Sequence, residues 1–196
     1  MREILSYSEA REDFRVADCI TWEGESALSS GIELFTGHKT THISVLLQQI
    51  RQAQNRWLIM EAWEGGHGVL SGHVGDNFLS KKIREYNGRC VWRPLHPNIE
   101  PYREAIAERL WSYKGIPYDY RCLVKQVGGR VLVDRKAMFC SELAQICYRE
   151  GIPREVLANF PWTLEMRILV NCRVAMQPGD FEGLPLCVRE VELTEG

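Results

Sequence analysis

The sequence predicts an α+β fold, and three observations carry that expectation. Short apolar runs, some with alternating polarity, recur through the chain between turns rich in Gly and Pro. Two longer stretches instead repeat apolar residues at helical spacing. The composition, 45% hydrophobic and 10% aromatic with 26% charged, is enough to bury a proper core and excludes a disordered or low-complexity chain. The pattern is several antiparallel strands with helices between and beside them, rather than a doubly wound parallel sheet.

Taken in order, Ala17 to Trp22 reads as a short strand, followed by a Gly- and Ser-bearing loop from Glu23 to Ser30. Ile32 to Phe35 fits a short helix that Gly37 ends. Thr41 to Gln48 begins with alternation and becomes apolar, as a half-buried and then buried strand does. Arg56 to Trp63 is a further strand, and the cluster Gly65, Gly66 and Gly68 after it is a turn. Arg89 to Leu95 is a strand whose Pro94 points to a sheet edge or a strand end. Asn98 to Lys114 carries Tyr102, Ile106, Leu110 and Tyr113 as a helical stripe, closed by Gly115 and Pro117. Phe139 to Glu150 is the second helix, with Leu143, Ile146 and Cys147 inward, Gly151 as its C-terminal cap and Pro153 as its stop. From Pro161 onward the tail reads as a helix or strand followed by an edge strand.

A chain of 196 residues has room for one ordinary domain, and no linker or repeat divides it, so residues 1–196 are expected to form a single domain. Basic and acidic residues nearly balance, 24 against 26, which gives no electrostatic reason to expect nucleic acid as a partner. Met1 to Ala10 is polar, without the apolar core of a secretory signal, and no apolar run approaches the roughly eighteen residues of a membrane span. The expectation is a soluble, cytoplasmic protein without stable membrane insertion. Its oligomeric state is open.

Seven cysteines cannot all pair, they are scattered, and no CxxC occurs, so neither a disulfide scaffold nor a zinc ribbon is indicated. Cys19, Cys90, Cys122, Cys147, Cys172 and Cys187 read as small, reduced, buried residues. Cys140 differs, because it stands at the start of a predicted helix, where free N–H groups and the positive end of the dipole favour a thiolate. A thiolate nucleophile needs a base and a group to orient that base. Of the five histidines, His67 and His73 flank Gly-rich turns as solvated loop residues and His96 precedes Pro97 in a connection. His38 and His42 are four apart, but Gly37 and Thr40 make a helix there doubtful and no third metal ligand is near. His42 opens a strand, a rigid place from which to present an imidazole. Glu61 is a lone acid in an apolar strand; if the strands of His42 and Glu61 are antiparallel neighbours, the two side chains lie side by side. The competing reading of Glu61 is the solvent face of an edge strand.

The runs Asp18-Cys19-Ile20, Ser29-Ser30, Phe35-Thr36-Gly37 and Thr41-His42-Ile43-Ser44-Val45, followed by Glu61-Ala62, Gly68-Val69, Gly115-Ile116-Pro117-Tyr118-Asp119 and Phe139-Cys140-Ser141-Glu142-Leu143, resemble the circularly permuted papain-like cysteine hydrolases. These are the YiiX-like relatives of the NlpC cell-wall peptidases. The resemblance covers roughly Asp18 to Pro153, with His42 ahead of Cys140 as the permutation requires. It implies a catalytic core over 18–153 with a C-terminal extension, 154–196, packed on it. It also implies an antiparallel sheet carrying His42 and Glu61 against the helix that starts at Cys140. By the same resemblance Cys140 is the nucleophile, His42 the general base, Glu61 the polar third member and Tyr118 an oxyanion partner, with no metal or organic cofactor. The substrate implied is a small peptide or other acyl compound. Two rivals stand beside an amide hydrolase: an acyltransferase or lipid-ester hydrolase of the lecithin retinol acyltransferase-like type, and a catalytically silent binding module. The chain departs from the family at Ala17-Asp18, where a Gly-Asp pair is usual, and in the long basic segment Gln126 to Lys136, which bears on substrate choice.

Overall fold

The expected strands at Ala17, Thr41 and Arg56 become neighbours in one sheet. The structure, a computed structural model, describes residues 2–24, 38–63, 72–120, 132, 136–171 and 173–195. Its strands are β1 (Glu3–Ser6), β2 (Cys19–Gly24), β3 (His42–Ile50), β4 (Arg56–Trp63), β5 (His73–Phe78), β6 (Gly88–Arg93) and β7 (Val191–Thr194). They form a seven-stranded sheet in the order β1-β7-β6-β2-β3-β4-β5. Every pairing is antiparallel except that of β1 with β7. The helices are α1 (Tyr7–Ala10), α2 (Leu79–Glu85), α3 (Arg103–Ser112), α4 (Cys140–Gly151), α5 (Arg154–Leu157) and α6 (Leu164–Asn171). Among the described residues no helix is long and apolar enough to cross a membrane.

Strand alternation divides the core into two layers. Ile43, Val45, Met60 and Ala62 face α3 and α4 in one cluster with Cys140, Leu143 and Ala144. Ile20, Trp22, Leu46 and Ile59 belong to a second cluster, with Leu79 at the start of α2 and Phe14 beneath Trp57 and Trp92. The β3–β4 connection is tight because Gln54 and Asn55 both take left-handed backbone, φ 56° and 57°. That turn sets the two strands side by side and, with them, the residues that alternate away from the α4 layer.

Several expectations change in detail. The strand around Arg89 is internal, paired with β2 on one side and β7 on the other, and Pro94 simply follows its last residue. Pro has no N–H to give the ladder, so it ends the strand instead of marking an edge. β7 is not at the edge either, because β1 pairs outside it. The helix expected from Asn98 begins as a 3-10 segment over Pro97–Tyr102, with Pro101 inside it, and becomes α-helical only at Arg103. Gly115 then turns the chain with φ +89°. Gly151 is not a left-handed cap: it is the last residue of α4, followed by extended Ile152. Its role is close approach, since an added Cβ would lie 2.6 Å from Ile106 Cγ1 and 2.8 Å from the Ile106 backbone. The tail from Pro161 supplies helix α6. The short helix expected at Ile32 and the Gly65 cluster lie outside the described residues, as do His67, Cys122 and Cys172.

Ala17, where the resembling family has glycine, sits at φ 68°. Its N–H donates to Leu46 O at 2.7 Å and its carbonyl accepts from the Tyr148 hydroxyl at 2.9 Å, so the turn is held from both sides. The next residue, Asp18, is buried and accepts from Arg15 N, Trp92 Nε1, Leu95 N and Arg103 Nη1 at 2.7 to 3.1 Å. The aspartate thus ties β2 to the chain leaving β6 and to α3 beneath it.

Candidate active site

His42 is the first residue of β3, paired across to Trp22 of β2, and its backbone neighbour Thr41 donates to Trp22 O at 2.8 Å. A strand end pinned in this way holds an imidazole with little freedom. Glu61 lies on β4, the next strand, and points to the same side as His42 and Ser44. Glu61 is not on a solvent face: its side chain is 5% exposed, and β5 pairs outside its strand. His42 Nε2 is 2.7 Å from Glu61 Oε2, and Ser44 Oγ donates to the same oxygen at 2.6 Å.

Cys140 is the first residue of α4, and Phe139 before it has extended backbone with no side-chain cap. The first-turn N–H groups are therefore not consumed by a capping side chain, the setting that favours an anion at a helix start. Ser141 is unavailable as a local competitor, because its hydroxyl donates to Met176 O at 2.7 Å. The Cys140 thiol lies close enough to His42 and to the Ile43 N–H for both to act on its titration. Since Nε2 of His42 faces Glu61, Nδ1 is the ring nitrogen left for Cys140. The helix and the acid thus meet at the first residue of β3: α4 lies on one layer, Glu61 faces the other, and His42 reaches both.

The electrostatics follow from those contacts. Burial works against a charged Cys140, yet adjacent His42, the Ile43 N–H and Lys82 outweigh it, and the thiol titrates below its ordinary range. For His42, burial and Lys82 push downward, while Cys140 and Glu61 outweigh them and raise the imidazole. Glu61, also opposed by burial, is held well below the usual carboxylate range by Lys82 and His42. The combination favours a thiolate beside an imidazolium. The other described cysteines go the opposite way: burial pushes Cys19, Cys90 and Cys147 up, and Cys187 up to about 12.

Tyr118 is placed by backbone pairing. It bridges to Met138, its N–H donates to Gly72 O at 2.8 Å, and Met138 N donates to Pro117 O at 3.0 Å. This sets the tyrosine's chain alongside a residue two positions before Cys140, with its ring edge-on to Tyr120 at 5.1 Å. The remaining described histidines lie elsewhere. His73 begins the outer strand β5 and packs against Trp63. His96 accepts the Asn98 N–H at the start of the 3-10 segment, and His38 is 3.7 Å from Glu182.

Sequence reasoning missed three residues of this cluster. Lys82, on α2, places its ammonium on Glu61 Oε2 and lies 4.6 Å over the ring of Trp22. Trp22 donates its ring N–H to Ser44 Oγ at 2.8 Å, and Ser44 in turn donates to Glu61. Only the T-H-I-S run hinted at Ser44, through the alternation that puts it beside His42. Nothing in the pair Lys81-Lys82 distinguishes the inward lysine from the outward one.

A seven-stranded, mostly antiparallel sheet with helices on both faces makes this an α+β protein of YiiX-like fold. A crystal structure described as metalloprotein YiiX from Escherichia coli O157:H7, DUF1105, matches with a TM-score of 0.63 at 18% identity, over 89% of this chain and 94% of that one. No family model matches the sequence, and no curated protein matches it.

Proposed function

We propose that the protein is a cysteine hydrolase of the permuted papain-like, NlpC-like type, cleaving an amide bond through an acyl-enzyme, with residues 18–153 as its catalytic core and 154–196 as an extension packed on it. The observation that carries this reading is that one imidazole is bonded to the Glu61 carboxylate and adjoins the Cys140 thiol closely enough for the two to shift each other's titration. The Cys140 thiolate attacks the acyl carbon, and the carbonyl oxygen becomes an oxyanion facing the Cys140 N–H and the Tyr118 hydroxyl. As the C–N bond breaks, His42 imidazolium gives its proton to the leaving amine. His42 then takes a proton from water as that water attacks the thioester, which releases the acid and restores the thiolate–imidazolium pair. Glu61 holds the tautomer and orientation of His42 throughout, as the third member of such sets does.

The structural neighbour is described as a metalloprotein, but the donor set of this site does not suit a cation. Glu61 Oε2 already receives an ammonium, a hydroxyl and an imidazole nitrogen, and a metal there would have to displace Lys82. No group of three His, Cys, Asp or Glu among the described residues is arranged to hold a metal. No step of the proposed chemistry runs through one.

The test uses Cys140→Ala and His42→Ala with an electrophilic acyl probe at neutral pH, read at Cys140 by peptide mass spectrometry. Labelling of the wild type alone is the expected result, and hydrolysis of peptide amides in preference to acyl esters would favour peptidase over lipid-ester chemistry. Equal labelling of wild type and His42→Ala would overturn the assignment.

A further inference from the structure

Lys82 is the element of the site that an acyl-transfer cluster of Cys, His and Glu does not explain. It is 13% exposed, its ammonium rests on Glu61, and its far side is covered by the Trp22 ring at 4.6 Å. The same Trp22 holds Ser44 by its ring N–H, and Ser44 holds Glu61. Lys82 is therefore part of a closed ring of contacts around one carboxylate oxygen. A long side chain immobilised in this way loses rotamer freedom, so chance placement is disfavoured.

We infer that Lys82 is a positioning residue: it fixes Glu61 as a carboxylate turned toward His42, and by sharing that carboxylate it keeps the His42 imidazolium acidic enough to hand its proton to a leaving group. The inference rests on the reading of Cys140, His42 and Glu61 as the reacting set. An acid that served His42 alone would deepen the ion pair and hold the proton on the ring. Sharing Glu61 with a fixed cation moderates this while leaving the geometry intact. The direction agrees with the influence of Lys82 on its neighbours, downward on His42 and on Glu61.

His73 and Asp76 of β5, Lys81 and Glu85 of α2, and Lys114 line the same cleft as Glu61 and Lys82, and closer groups act on the pair directly. They are Glu61 on β4, Lys82 on α2 with Tyr86 just past it, Cys140 on α4, and Cys90 on β6. Tyr86 lies 3.4 Å from Thr41 Oγ1 with its ring 4.9 Å from Trp22, and burial raises both Tyr86 and Cys90, so both stay neutral where the pair titrates. Among the described residues, Lys82 and His42 are the basic groups paired with Glu61.

The test is the pH dependence of Cys140 carboxymethylation by iodoacetate in the full chain, with the site read by peptide mass spectrometry. The thiolate displaces iodide from the reagent's methylene, and the anionic reagent is favoured while His42 is an imidazolium, so the wild type should give a bell. Lys82→Met, which keeps the stem over Trp22 and removes the charge, should move both limbs to higher pH, the alkaline limb by more. Lys82→Arg should return the profile toward the wild type. A Lys82→Met profile that superposes on the wild type overturns the inference, as does a Lys82→Arg profile matching Lys82→Met. Should Lys82→Met fail to fold, Lys82→Gln is read by the same criteria. Absence of the bell in the wild type would instead remove the Cys140–His42 reading, without reference to any Lys82 variant.

Discussion

His42 Nε2 and Glu61 Oε2 stand 2.7 Å apart across two antiparallel strands, and the carboxylate they share with Ser44 is almost fully buried. A buried carboxylate without donors would be expensive, so the sequence oddity of a lone acid in an apolar strand is resolved by three polar partners. Glu61→Gln tests what its charge contributes. The amide keeps the shape but can present its NH2 to His42, which selects the wrong tautomer, and it leaves Lys82 without its counter-charge. Turnover should fall by on the order of 10⁴-fold, the loss seen when an amide replaces the carboxylate that orients a catalytic histidine. A loss confined to KM would argue that Glu61 serves binding alone.

Thiol reactivity should single out Cys140. Its folded-state titration lies below that of an ordinary thiol, so reactivity persists as pH falls beneath that range and is lost only near the depressed value. Cys19, Cys90, Cys147 and Cys187 are shifted the other way and should label only after unfolding. In His42→Ala, burial is left without its largest opponent, so the Cys140 midpoint should rise above the ordinary thiol range. Site-resolved iodoacetamide labelling against pH checks both statements. Comparable labelling of Cys140 and the other four in the native wild type would remove the distinction.

The parts of this arrangement that were legible in the sequence are those where side-chain periodicity carries the signal. The strands at Cys19, His42 and Arg56 and the helices at Arg103 and Cys140 all show it, and these elements bring His42, Glu61 and Cys140 into contact. What escaped has no such signal. β1 is four residues long with an exposed Ile4, and β5 (HVGDNF) has too little apolar alternation to read as a strand. α2 is short, and LSKKIRE offers no sustained apolar stripe, with Leu79 its one buried residue. Lys82 matters through a contact with a residue on another strand, which no local pattern records. The internal position of β6 depends likewise on β7, which arrives from the far end of the chain.

Arg103 should be a stability residue. Its guanidinium bonds Asp18 at 2.7 Å and Val16 O at 2.6 Å, and Asp18 is 1% exposed. Burial raises the Asp18 carboxyl even against Arg103, the Leu95 N–H and the Trp92 ring N–H, so the charged form is already disfavoured. Arg103→Met strands that carboxylate and should cost about 3–5 kcal/mol at neutral pH. A raised folded-state value makes an acid fully destabilising above it, and the cost fades as pH falls from the folded value to the lower unfolded one. The gap between variant and wild type should therefore narrow as pH is lowered and Asp18 takes a proton. Urea unfolding at neutral and mildly acidic pH measures this; a gap that widens in acid would contradict the assignment.

Gly151 bears on how α4 is seated. Its Cα faces Ile106 of α3 so closely that a methyl group would lie 2.6 to 2.8 Å from Ile106 Cγ1, Cα and N. Two of those three atoms are backbone, so the clash cannot be relieved by rotating a side chain. An Ala at a helical position gains up to about 1 kcal/mol over Gly in propensity, which opposes the steric term. Overpacking of a rigid contact costs about 1–3 kcal/mol, and α4 must separate from α3 to accept the methyl. Gly151→Ala should thus destabilise the protein. It should also slow carboxymethylation of Cys140, because the same helix presents the thiol to His42 from its other end. Denaturant unfolding and the labelling rate report the two effects separately. A more stable Gly151→Ala would mean that the α3–α4 crossing has room and that the glycine's absence of a side chain is not what seats the helix.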